Sequence, residues 1–97
     1  MMSDPELIKV ALRMKDDGNV RFQAGKFKEA EGMYREALGH LETVKNDNKE
    51  LRELKQTVLL NIAAVCNRSG DFKESVIICT KALEYGDKSV KAYFRRA

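Results

Sequence analysis

Lys15 and Asn19 stand four residues apart, as do Lys91 and Arg95, and Asn61 lies between the two pairs. On a helix, a spacing of four puts both members of a pair on one face. Lysine and arginine carry only hydrogen-bond donors, and each asparagine amide adds two N–H donors. If these five residues are brought to one hollow, the ligand that satisfies them is a close pair of carboxylates. Charged partners make such bonds roughly twice as strong as neutral ones. A peptide chain ending in Asp has this shape, with an α-carboxylate beside a side-chain carboxylate. With 18 Lys and Arg in the chain, a single cation is ordinarily a solvated surface charge. Asn61 says more, because asparagine is mildly unfavourable inside a helix and this one follows the apolar run Val58-Leu59-Leu60.

Other chemistry is poorly provided for. His40 is the only histidine, and it has no set of Cys, Ser or Asp residues around it. There is no Gly-rich phosphate loop, no metal-ligand spacing and no pair of acids that makes a site. The sequence therefore predicts no catalytic residue, no metal and no cofactor. Cys66 and Cys79 fall on apolar helix faces and read as reduced, buried thiols of an intracellular protein. A net charge of +3 is too mild to call for nucleic acid. The basic end, Lys88 to Arg96 with Tyr93 and Phe94, is the one stretch with some appeal for single strands, but its aromatics fit a helical pattern. No apolar run approaches the roughly 20 residues that cross a bilayer, and no secretory signal is visible. The expectation is a cytoplasmic protein that binds neither nucleic acid nor membrane.

The elements that position these residues are all helical. The 97 residues, 43% hydrophobic and 34% charged, suit one helix-rich domain with a small core. A first helix is predicted from about Pro5 to Ala24, with Asp4 as N-cap. A second runs from about Lys26 to Val44. A polar break at Lys45-Asn46-Asp47-Asn48 precedes a third from about Lys49 to Arg68. A fourth covers Phe72 to Tyr85, and a fifth begins near Ser89. Gly25 suits a left-handed helix terminus, and Gly18, inside the first helix, suits close helix packing.

The stretch around Gly25 occurs twice. Gly25-Lys26-Phe27 is matched by Gly70-Asp71-Phe72, and Ala30, Tyr34 and Ala37 by Ser75, Cys79 and Ala82, at an offset of 45 residues. Ala63 takes the place of Gly18, and Ala97 follows Ala63 by 34 residues. This pattern of small residues, a Gly turn and alternating Ala and aromatic positions resembles the tetratricopeptide repeat. The departures are Ser75, Cys79 and the absence of proline in Gly86-Asp87-Lys88. The resemblance implies an all-α right-handed superhelix of antiparallel helix pairs: about two and a half repeats, five helices. Repeat 1 is expected at about 11–44, an extended connection at about 45–55, repeat 2 at about 56–89 and the start of repeat 3 at 90–97.

In the same way, Lys15, Asn19, Asn61, Lys91 and Arg95 look like the dicarboxylate clamp of co-chaperone tetratricopeptide domains. Those domains bind the C-terminal Glu-Glu-Val-Asp tail of the 70-kDa and 90-kDa heat-shock chaperones. The resemblance also implies an apolar pocket at Phe22 and Ala64, with rim contacts from Lys88 and Phe94. For Phe22, an ordinary core role is equally expected. The long connection is similar to that of large immunophilins, in which any prolyl isomerase activity belongs to a separate domain. The expected function is a co-chaperone adaptor. Alternatives are a generic scaffold for internal partner segments, or the non-catalytic part of a prolyl isomerase. A fifth helix without its mate leads to two further expectations: that the chain is a piece of a larger protein, and that it self-associates through the Tyr93, Phe94 and Ala97 end.

Overall fold

The structure, a computed structural model, describes residues 2–85. Four helices follow in order: α1 (Asp4–Gln23), α2 (Phe27–Glu42), α3 (Lys49–Arg68) and α4 (Phe72–Glu84). No strand occurs among the described residues, and the fold is all-α. The fifth helix expected from Ser89 lies outside the described residues.

The helix ends follow from local chemistry. The N-cap of α1 is Ser3, where Asp4 was expected. The Ser3 carbonyl already accepts the Leu7 N–H at 2.9 Å, so the helix begins one residue sooner. Asp4 is thereby released for a different task. Its carboxylate accepts the backbone N–H groups of Lys45 and Asn46 at 3.1 and 3.0 Å, tying the start of α1 to the loop after α2. The second helix stops at Glu42, short of the expected Val44. Thr43 caps it, with its hydroxyl donating to the His40 carbonyl at 2.8 Å. Asn48 and Asp71 accept the N–H groups of Leu51 and Glu74, opening α3 and α4.

Both hairpin turns are built alike. Gly25 has φ +79 and Gly70 φ +85. The next residue's N–H reaches back to the carbonyl five before it, Lys26 to Arg21 at 2.9 Å and Asp71 to Cys66 at 2.8 Å. This is the left-handed helix terminus that glycine alone adopts without strain.

Contacts climb α1 as they descend α2. Phe22 meets Phe27, Arg21 pairs with Glu29, and Gly18 lies on Tyr34, with Asp4 at the far end beside Lys45. The two helices are therefore antiparallel. In the second pair, Gln56 Nε2 donates to the Ala82 carbonyl and Lys55 lies over the Tyr85 ring, giving the same relation between α3 and α4. The core is shared unevenly. Among the buried residues, α1 contributes Leu7, Ala11 and Gly18, whereas α3 contributes Leu51, Val58, Leu59, Ile62, Ala63, Val65 and Cys66 along with Gln56. Its neighbours α2 and α4 take it from two sides, which is why its sequence is apolar over so wide an arc.

Candidate peptide-binding face

Lys15, Asn19 and Phe22 fall at successive turns of α1, and all three are half-buried. Asn19 is held from below. The Tyr34 hydroxyl of α2 donates to Asn19 Oδ1 at 2.5 Å. Tyr34 can reach it only because residue 18 has no side chain: a Cβ there would stand 2.6 Å from Tyr34 Cε1 and 2.8 Å from Cδ1. Burial pushes the Tyr34 phenol above its ordinary pKa, so it stays protonated and remains a donor. Phe22 packs edge-on against Phe27, with ring centroids 5.4 Å apart at 65°, and belongs in part to the core.

On α3, Asn61, Ala64 and Arg68 share a second strip by the same helical spacing. Asn61 is half-buried and Ala64 exposed. The Arg68 guanidinium lies over the Phe22 ring at 5.8 Å and over Phe27 at 6.0 Å. The C-terminal end of α3 therefore sits at the C-terminal end of α1, and the two helices run the same way. Asn61 lies two turns before Arg68, and Lys15 two turns before Phe22. Arg68 is the residue that sequence reasoning did not single out. Its signal was a cation seven residues after Asn61, on the same face.

Of the other expected site residues, Lys88, Lys91, Phe94 and Arg95 lie outside the described residues. Two surface hollows are recorded. One is lined by Asp17, Val20, Arg21, Ala24 and Lys26, the other by Leu38, Glu42, Leu59, Lys81, Glu84 and Tyr85. Neither includes an expected site residue, and both sets mix charges of opposite sign. Among the described residues no group of three or more His, Cys, Asp or Glu could hold a metal ion. Cys66 is buried and Cys79 half-buried, and both are free thiols. Burial, with Glu31 next in effect, holds the Cys66 thiol above its ordinary pKa and so in its unreactive form. No described helix is long and apolar enough to cross a membrane.

No family model matches the chain. Among solved structures, the C-terminal tetratricopeptide-containing domain of a Plasmodium falciparum FK506-binding protein superposes with a TM-score of 0.75. It is 28% identical, covering 90% of this chain and 60% of its own. The chain is a tetratricopeptide-type domain. Among curated proteins, this tetratricopeptide unit is 40% identical over 83 residues to the mitochondrial import receptor subunit TOM70 of Rattus norvegicus, covering 86% of the chain. It is 29% identical over 99 residues to the peptidyl-prolyl cis-trans isomerase FKBP4 of Bos taurus, covering 98% of the chain. It spans 13% of the length of the first and 22% of the second.

Proposed function

We propose that this domain is a protein-interaction module of the co-chaperone adaptor type, which holds the acidic C-terminal Glu-Glu-Val-Asp tail of the 70-kDa or 90-kDa heat-shock chaperones in the cytoplasm. Lys15, Asn19 and Asn61, with Lys91 and Arg95, form the dicarboxylate clamp. Phe22 and Ala64 line the pocket for the ligand's valine, and Lys88 and Phe94 stand at the rim. The observation that carries this reading is the pairing of two strips on helices that run the same way. Arg68, on the Asn61 face of α3, lies over Phe22, on the Lys15 face of α1, which supports a shared groove between the two strips. Lysine and arginine offer donors alone and each asparagine adds two N–H groups, a set that suits carboxylates. The reading also fits relatives as differently named as an import receptor subunit and a peptidyl-prolyl isomerase, since both share this one unit. Any isomerase activity belongs to other parts of such proteins.

Calorimetry with an acidic pentapeptide ending in Asp, and with its C-terminal amide, tests the proposal. The free acid binds more tightly than the amide. Lys15→Ala and Asn61→Ala each weaken the acid by about thirtyfold, about 2 kcal/mol, as expected when a held charge loses its partner. Raising salt from about 0.05 to 0.5 M weakens binding further. Equal affinity for acid and amide would leave only the generic scaffold.

A further inference from the structure

Tyr34 is a core residue by its ring and something else by its hydroxyl. The ring is 2% exposed and pressed against Gly18. The hydroxyl emerges beside Asn19 and donates to its Oδ1, its one hydrogen bond among the described residues. An asparagine amide has two edges, an acceptor and a pair of donors, and rotation about its last bond exchanges them. A free Asn19 could therefore offer a ligand either edge. Here one orientation is selected. If the amide turned over, the buried phenol would have no described acceptor for its proton, and an unmatched buried donor is strongly disfavoured.

We propose that Tyr34 is a positioning residue: by engaging Asn19 Oδ1 it fixes the Asn19 N–H donors as the edge turned to a ligand, and so makes the site prefer a carboxylate to a carboxamide. The proposal rests on the tail-binding reading above. A carboxamide could give its one carbonyl oxygen to Asn19, but its N–H groups would then face the other donors of the clamp, and Asn19 would have no second edge to turn toward them. The second copy of the repeat bears on the same point. At the fixed offset of 45, Gly18, Asn19 and Tyr34 become Ala63, Ala64 and Cys79. The glycine that admits the ring, the amide and the phenol are all replaced together, as expected if they act as one device.

The test uses the whole chain. Tyr34→Phe keeps the ring and removes the hydroxyl. The helical circular dichroism spectrum is expected to stay that of wild type. Affinity for the acidic pentapeptide ending in Asp falls about fivefold, the effect of one net hydrogen bond, while affinity for its amide does not fall, so the acid-to-amide ratio shrinks. A merely structural role would move both peptides together or neither. If wild type discriminates and Tyr34→Phe discriminates equally well, the positioning role is overturned. If wild type itself fails to discriminate, the tail-binding reading fails first and takes this one with it. Should Tyr34→Phe not fold, Asn19→Asp decides, because it keeps an acceptor for the phenol but removes the donors. It is expected to fold and lose its preference for the acid, and retention of wild-type acid affinity would overturn the proposal.

Discussion

Gly18 sets two effects against each other. Alanine inside a helix is favoured over glycine by about 1 kcal/mol. Against this, the new Cβ would lie 2.6 Å from Tyr34 Cε1, and Tyr34 is only 2% exposed. Overpacking of this kind costs about 1–3 kcal/mol, so strain wins. Gly18→Ala is expected to be net destabilising, by up to about 2 kcal/mol, as the shift of the urea midpoint would show. A rise in midpoint would mean that the ring yields. Cys66 makes a second prediction. Its thiol pKa is raised in the folded state, so folding holds the proton more tightly than the unfolded chain does. The associated stability is whole below the ordinary value of 9.0 and is lost as pH climbs through the higher folded value. Urea midpoints measured from about pH 8 to 10 should fall for the native chain, and fall less steeply for Cys66→Ala. Parallel curves would assign the loss to other groups, such as Tyr34 and Tyr85, whose pKa values are also raised. At this scale the sequence was readable wherever spacing speaks. The small residue at 18 announced close packing, and the position of Tyr34 announced burial. The Tyr34–Asn19 bond was not readable, because nothing in a residue list says which way a hydroxyl leaves the core.

The helices themselves were largely readable. The third was expected from Lys49 to Arg68 and lies there, because a strong N-cap and a Gly turn bracket an apolar run. The ends of the others moved by one or two residues, where two capping side chains competed. Ser3 prevailed over Asp4 at the start of α1, and Thr43 ended α2 early. Asp4 could not have been assigned in advance, since its partners Lys45 and Asn46 are far along the chain and it meets their backbone. Glycines along an element follow a simple rule. At Gly32 and Gly39 an added Cβ meets nothing within 4 Å. Gly32→Ala and Gly39→Ala should therefore each stabilise the protein by about 1 kcal/mol, the opposite sign to Gly18→Ala. Thermal melts of the three variants side by side check this. Gly25 and Gly70 also have open space around them, but their positive φ makes any side chain strained.

For the molecule as a whole, α3 is the keel. It supplies eight buried residues, against three each from α1 and α4. Opening α3 therefore breaks most of the core, whereas the outer helices can loosen with less loss. Amide hydrogen exchange should be slowest in α3 from Val58 to Cys66 and faster through α1 and α4. Slowest exchange in α1 would refute this ranking. The overall architecture was readable because the repeat declares itself twice. The contact of Arg68 with Phe22 across the gap between helix pairs was not, since the two lie 46 residues apart in sequence.

The chain reverses at Gly25 and at Gly70 through matching geometry, down to the following residues, Lys26 at φ −90, ψ 72 and Asp71 at φ −89, ψ 73. A segment bounded by two interchangeable corners can be spliced in again without redrawing either junction. Lengthening this protein in whole units, each adding its own stretch of wall, thus asks for no new fold, only for another pass of the same bend.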